Sequence, residues 1–290
     1  MFEGVLTAIV TPFRKWVVDE EALRSHIEDQ IAAGIHGLVP CGTTGESPTL
    51  SPEEQRSVIK ITIDQVKKRV VVIPGTGNNN TKFSLEMTQW AKANGADGAL
   101  VITPYYNKPP QRGLYEHFKT IATANIPLVL YNVPSRTNVS LEPSTLKELE
   151  KIPNIVALKE ATGSMELDKE FIRAGGGRIT LLSGDDATFF DLLEIGGKGC
   201  ISVASNIVPQ KLVTLFNLFL KGKKEEAKKI NQKLMPLMKG LFIETNPIPV
   251  KHALSLMGKM TAELRLPLVP MEENHLATLK EILRREELIS

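Results

Sequence analysis

The residues with the most chemical promise close a short apolar run, Ile155-Val156-Ala157-Leu158-Lys159-Glu160. Period-2 alternation puts Ile155, Ala157 and Lys159 on one face and Val156, Leu158 and Glu160 on the other. Both faces are apolar until the last two residues, as in a parallel-sheet strand covered on both sides. A lysine there is costly as a cation, and burial lowers its pKa. A neutral amine is the nucleophile that Schiff-base chemistry on a carbonyl requires. The same lysine could instead snorkel to solvent, so its neighbours must decide.

Several other motifs offer groups that could serve such an amine. Gly42-Thr43-Thr44-Gly45-Glu46 presents two adjacent hydroxyls among flexible glycines, and its backbone N–H groups and Oγ donors suit a small carboxylate. A plain turn is the alternative. Tyr131 ends a second apolar run in phase with Val129, which points it inward beside Lys159; a phenol there can shuttle a proton to and from a carbinolamine oxygen. A core tyrosine with a satisfied hydroxyl would look the same. Arg136, in Pro134-Ser135-Arg136-Thr137, has the planar guanidinium that captures a carboxylate bidentately, or it is a surface arginine. Asp185-Asp186 has no histidine or further carboxylate at ligand spacing, so a helix N-cap is the better reading than a metal site. None of the five histidines (26, 36, 117, 252, 275) is assigned to catalysis.

The elements that must position these residues alternate along the chain. Strands are expected at Val5–Val10, Gly37–Cys41, Val70–Pro74, Gly98–Ile102, Leu128–Tyr131, the lysine run, Thr180–Ser183 and Cys200–Val203. Helices fall between them: one opened by Asp19 and stopped by Gly34, one from the capping box Ser51-Pro52-Glu53-Glu54, then Phe83–Ala93, Gly113–Ala124, Ser144–Lys151, Ser164–Ala174, Ala187–Ile195 and Pro209–Leu220. Eight such units predict a closed (β/α)8 TIM barrel over residues 1–224. A doubly wound sheet would normally carry G-x-G-x-x-G at the first strand–helix junction, and none is there. Residues 225–290 read as a C-terminal helical subdomain, with helices near Glu225–Phe242, Val250–Leu264 and Glu272–Glu286.

The barrel sorts the glycine clusters. Gly175-Gly176-Gly177 and Gly196-Gly197 precede strands and read as C-cap turns at the inert end. Gly42–Glu46, Gly75-Thr76-Gly77, Tyr105-Tyr106-Asn107, Tyr131-Asn132 and Gly184-Asp185-Asp186 follow strands and lie at the active end.

Composition narrows the class. The 290 residues are 42% hydrophobic and 23% charged, and 35 basic against 33 acidic residues give a net charge of +2. That balance argues for no nucleic-acid or membrane partner. The run Lys221-Gly222-Lys223-Lys224 is offset by Glu225 and Glu226 and reads as a solvated helix start. Cys41 and Cys200 have no metal spacing and read as reduced core residues. No signal peptide or apolar span of about 18 residues is expected, which makes the cytoplasm the default location.

Gly42-Thr43-Thr44-Gly45-Glu46-Ser47, Tyr131-Asn132-Val133-Pro134-x-Arg136, Lys159-Glu160-Ala161-Thr162-Gly163 and Asn246-Pro247-Ile248-Pro249-Val250-Lys251 together resemble the dihydrodipicolinate synthase family. These are pyruvate-dependent class I aldolases related to N-acetylneuraminate lyase, and the likeness runs in order over essentially the whole chain. The resemblance implies that Lys159 forms a Schiff base with pyruvate and that Tyr131 relays protons, linked through Thr43 to Tyr106. It implies that this last tyrosine comes from a neighbouring subunit of a homotetramer, a dimer of dimers. Thr44 and Ile201 would hold pyruvate, Gly184 would line the site, and Arg136 would receive the carboxylate of L-aspartate 4-semialdehyde. The product would be 4-hydroxy-tetrahydrodipicolinate, on the route to diaminopimelate and lysine, with no metal or organic cofactor needed.

A sialic-acid or 2-keto-3-deoxy sugar-acid lyase is the alternative enzyme, and a non-catalytic pyruvate-binding barrel the alternative outside enzymes. Such lyases usually carry Ser at the position of Thr43 and lack an arginine matching Arg136, so both positions favour the synthase. One departure stands out. Lysine-inhibited members of the family line an allosteric cleft with histidine and glutamate, and the matching positions here are Pro52, Gln55 and Phe83, although Ser47, Asn79 and Tyr105 match. Weak or absent inhibition by lysine is expected.

Overall fold

The computed structural model of the protein describes residues 2–290. Eight parallel strands form the central sheet: β1 (Gly4–Thr7), β2 (Gly37–Leu38), β3 (Val71–Val72), β4 (Ala99–Ile102), β5 (Leu128–Asn132), β6 (Ile155–Glu160), β7 (Thr180–Ser183) and β8 (Gly199–Ser202). Their order is β3-β2-β1-β8-β7-β6-β5-β4. The two ends meet through a parallel bridge between Gly75 and Leu100 and a 2.8 Å bond from Leu100 N–H to the Pro74 carbonyl. The sheet therefore closes on itself, as in a (β/α)8 barrel.

Inside the barrel lie Leu6, Ala8, Val39, Ile73, Leu100, Val129, Tyr131, Ala157, Leu182 and Ile201. Outside it, the helices bury their apolar stripes against the other strand faces. The helices are α1 (Glu20–Ala32), α2 (Pro52–Val66), α3 (Thr81–Ala93), α4 (Gln111–Ala122), α5 (Pro143–Leu149), α6 (Met165–Ala174), α7 (Phe189–Glu194) and α8 (Pro209–Leu220). Their starts follow the expected chemistry. Asp19 caps α1 through the Ala22 N–H, and Ser51 and Glu54 form a reciprocal capping box on α2. Gly175 ends α6, and Gly176 and Gly177 follow with positive φ in the turn before β7.

Four expectations need correction. The sequence alternation fails at the start of β6, where Leu128 pairs with Ile155 but Val129 pairs with Ala157. This bulge sends Ile155 to the outer layer and turns Val156 toward the interior; from Ala157 onward the expected phase holds. The second strand ends well before Cys41, which is buried in a left-handed turn with φ 56°. A short hairpin, Phe13–Arg14 against Val17–Val18, stands between β1 and α1 where no element is expected. The helix expected over 250–264 ends at Leu256, and Gly258 reverses the chain with φ 71°.

Three helices complete the chain: α9 (Lys224–Gly240), α10 (Ile248–Leu256) and α11 (Glu273–Arg285). Their side chains Leu234, Leu237, Val250, Leu279 and Leu283 share one buried cluster with Leu23, Phe189 and Phe216 of the barrel's helical shell. Among the described residues no helix is long and apolar enough to cross a membrane.

Candidate active site

Register decides which side chains meet. β5 and β6 pair Tyr131 with Lys159, so the two sit side by side at the rim where both strands end. The Lys159 Nζ lies 4.1 Å from the centroid of the Tyr131 ring, and only 6% of the lysine is exposed. Burial drives the amine down to about 8, with the positive charge of Arg136 adding to the fall and buried Asp186 opposing it. Burial also raises the Tyr131 phenol, against the pull of Arg136 and a hydrogen bond with the Thr43 hydroxyl. The phenol thus stays a proton donor at neutral pH.

A glycine makes room for the lysine. A Cβ on Gly184 would stand 2.7 Å from the Ala161 Cβ, 2.9 Å from the Glu160 carbonyl oxygen and 3.1 Å from the Lys159 Cε. Any side chain there would push into the path of the amine.

Lys159 and Tyr131 open into a cavity of about 610 Å³ whose walls include Thr43, Thr44, Arg136, Gly184, Asp185 and Asn246. Thr43 and Thr44 ride on a tight turn after β2, in which Gly45 N–H and Glu46 N–H bond back to the carbonyls of Gly42 and Thr43, both at 3.1 Å. The Thr44 hydroxyl accepts a 3.0 Å bond from the Asn246 amide, which leaves its own hydrogen free to donate. Arg136 stands on a single helical turn, Pro134–Thr137, and its Nη2 donates to the Asn246 carbonyl at 3.1 Å. Two hydroxyls and a guanidinium thus face one cavity that a buried amine and a phenol enter. The arrangement can hold two small anionic molecules and join one of them covalently to nitrogen.

Two expected residues are placed differently. Ile201 is buried inside the barrel but does not line the cavity; Val203, two residues on, does. Tyr106 is 90% exposed, with φ 73°, and does not reach the cavity of its own chain. Asp185 caps the turn that follows it by accepting from Ala187 N–H at 2.9 Å.

Sequence reading misses three contributors. Asp186 is buried, accepts from the Ser202 hydroxyl, Val203 N–H and Ala204 N–H, and is the carboxylate that most opposes the fall of the Lys159 pKa. Glu160 accepts from the Asn132 amide at 3.1 Å and from Thr162 N–H and Oγ1, tying the ends of β5 and β6 to the next loop. Asn246, from the C-terminal part, bridges Thr44 and Arg136. Its presence in a Pro-rich break was visible, but nothing in the spacing pointed it at the barrel mouth. A second cavity, about 280 Å³, adjoins the first through Gly42, Thr43, Leu100 and Tyr131; Ser47, Pro52, Gln55, Phe83 and Tyr105 line it and Asn79 does not. Among the described residues no group of three or more His, Cys, Asp or Glu side chains could hold a metal ion.

Comparison with known proteins gives one consistent answer. The model of the dihydrodipicolinate synthetase family matches residues 1–286. A 4-hydroxy-tetrahydrodipicolinate synthase from Thermodesulfovibrio yellowstonii is 53% identical over 290 residues, covering all of both chains. The crystal structure of dihydrodipicolinate synthase from Aquifex aeolicus superposes with a TM-score of 0.98 at 45% identity over 99% of each chain. The pyruvate complex of the chloride-inhibited dihydrodipicolinate synthase from Acinetobacter baumannii superposes at 0.97, with 44% identity over the whole of both chains. The chain belongs to the dihydrodipicolinate synthetase family.

Proposed function

We propose that this protein is a lyase-class enzyme that condenses pyruvate with L-aspartate 4-semialdehyde through an imine on Lys159, giving 4-hydroxy-tetrahydrodipicolinate for diaminopimelate and lysine synthesis. The observation that carries the reading is the buried Lys159 amine over the Tyr131 ring, in one cavity with Thr43, Thr44 and Arg136. At pH 7 an amine with a pKa of about 8 is roughly one-tenth neutral, against fewer than about one in a thousand for an ordinary lysine.

The neutral amine attacks C2 of pyruvate, whose carboxylate rests on the Thr43–Thr44 turn. Tyr131 donates the proton that lets the carbinolamine hydroxyl leave as water. The Tyr131 phenolate left by that step takes a C3 proton from the imine, giving the enamine with the lysine nitrogen as electron sink, and returns the proton to the aldehyde oxygen in the next step. The enamine carbon attacks the aldehyde of the second substrate, whose carboxylate Arg136 holds. The substrate's own amino group then displaces Lys159 at C2, which closes the ring and frees the enzyme. Gly184 keeps the wall open beside the lysine, and Ile201 supports the site from the barrel interior.

Tyr106 completes the proton relay from a neighbouring subunit in this reading, and its exposure of 90% in a single chain supports that role. The working form is then a homotetramer built as a dimer of dimers, acting in the cytoplasm. The helices of residues 225–290 form a subdomain that serves the barrel, since Phe242–Asn246 wall its cavity.

Borohydride reduction in the presence of pyruvate tests the reading. The expected result is a mass gain of one reduced pyruvyl group on the peptide that carries Lys159. No adduct, or an adduct on another lysine, would overturn it. Turnover with aspartate semialdehyde, measured against cleavage of sialic or 2-keto-3-deoxy sugar acids, separates the synthase from a related lyase.

A further inference from the structure

Glu46 and Lys251 form an ion pair in which both side chains are wholly shielded from solvent, with Nζ 2.5 Å from Oε1. A pair buried this completely is seldom there for stability, because taking both charges out of water offsets their attraction. Its place in the fold suggests another use. Glu46 closes the turn that carries Thr43 and Thr44, and its backbone sits in the left-handed region at φ 53°, sparsely populated for a residue with a Cβ. Lys251 lies on α10, five residues beyond Asn246, which donates to Thr44 and accepts from Arg136.

The rest of the surroundings points the same way. The other Glu46 oxygen accepts from Arg265 N–H at 3.1 Å, and the Arg265 guanidinium grips Glu54 at the start of α2 with bonds of 2.6 and 2.7 Å. Phe13 packs against both cations, its ring centroid 4.2 Å from the Lys251 Nζ and 4.3 Å from the Arg265 Cζ. The carboxylate is thus fixed at both oxygens by the C-terminal part of the chain.

We propose that Glu46 and Lys251 are positioning residues that hold the Thr43–Thr44 turn and Asn246 in register, so that the receptors for both substrate carboxylates are set by one buried contact. This rests on the proposed condensation, because the carboxylates in question are those of its two substrates. Neither residue touches substrate. Loss of the pair lets the turn and the segment before α10 move independently, which misplaces Thr44 and Arg136 together; a displacement of about 1 Å is enough to weaken an oriented site by orders of magnitude.

The test must separate positioning from stability. Glu46→Gln and Lys251→Met each leave a buried charge without its partner and are expected to lower the melting temperature. The double variant Glu46→Gln/Lys251→Met removes both charges and is expected to melt close to the parent. It should nevertheless show KM raised about tenfold or more for pyruvate and for aspartate semialdehyde together, with borohydride trapping on Lys159 still complete at saturating pyruvate. A stable double variant with parental KM for both substrates would overturn the proposal, as would a rise confined to one substrate. A double variant that melts far below the parent would overturn it too, since the pair would then be acting in the fold. Failure of the parent enzyme itself to trap pyruvate would instead overturn the functional reading.

Discussion

Replacing Lys159 by methionine should make the protein more stable at neutral pH while abolishing its chemistry. The amine falls from an ordinary 10.5 to about 8 because it is buried. At 1.36 kcal/mol per unit, holding it as an ammonium in the folded state costs about 3 kcal/mol. Its seat 4.1 Å over the Tyr131 ring returns about 1 kcal/mol of that. Methionine keeps the length and most of the packing without the charge, so the variant gains about 2 kcal/mol, or several degrees in melting temperature. The pH dependence fixes the cause. Below about pH 8 the lysine is charged in both folded and unfolded chains, and the variant's advantage is complete. As pH rises from about 8 to about 10.5 the folded protein gives up its proton before the unfolded chain does, the parent recovers stability, and the advantage disappears. Urea melts of parent and variant near pH 6.5 and pH 10 measure both numbers. A variant no more stable than the parent at the lower pH, or an advantage unchanged at the higher one, would refute the claim that Lys159 is held at an electrostatic loss.

Gly184→Ala should fold but lose about a hundredfold or more in imine formation, since its methyl would sit 3.1 Å from the Lys159 Cε and 2.7 Å from the Ala161 Cβ; trapping at the parental rate would contradict this. Asp168 is buried against Glu160, and burial together with that carboxylate raises it from 3.8 to about 7. The folded state therefore keeps a proton that the unfolded chain has released, so stability declines as pH rises from about 4 to about 7. Asp168→Asn should flatten that decline in chemical melts; an unchanged slope counts against a protonated Asp168 in the folded state. L-Lysine at sub-millimolar concentration should leave the rate unchanged, because Pro52, Gln55 and Phe83 line the second cavity without offering a charge to an ammonium group; a full inhibition curve in that range would remove the argument.

The barrel and the inward phase of the candidate residues Tyr131 and Lys159 are legible in the sequence because their signals are local. Strand phase alone places Val129, Tyr131, Ala157 and Lys159 toward the interior, and the capping residues Asp19, Ser51 and Ser164 mark their helix starts within a residue. What escaped the sequence depends on long-range contacts or on irregular backbone. The bulge at Ile155–Val156 breaks an alternation that otherwise reads cleanly, and no residue type announces it. The helix ends at Leu256 where Gly258 takes up φ 71°, and Met260 and Leu264 join the shared core from irregular backbone although their spacing would continue a helical stripe. Asn246 and Lys251 were visible in a recognisable motif, but their partners Thr44 and Glu46 lie 202 and 205 residues away.

Where the ionisable groups lie follows from how the barrel is built. Its interior between the strands is apolar, from Leu6 through Leu100 to Leu182, and gains stability by ordinary burial. The strained features gather at the rim where the strands end. Lys159 is an amine held partly deprotonated there, Glu160 and Asp168 crowd two carboxyls, Asp186 is buried with its oxygens bonded, and Glu46 sits at positive φ in a sealed ion pair. Taking each of these groups out of water costs the fold free energy that a well-packed apolar side chain of similar volume does not cost. Their collection at one end makes sense if that end is where the carbonyl chemistry occurs, because only there does an uncharged amine or a fixed hydroxyl return in rate what it takes from the fold. The inert end, by contrast, is finished with glycine turns such as Gly175–Gly177, which need only reverse the chain.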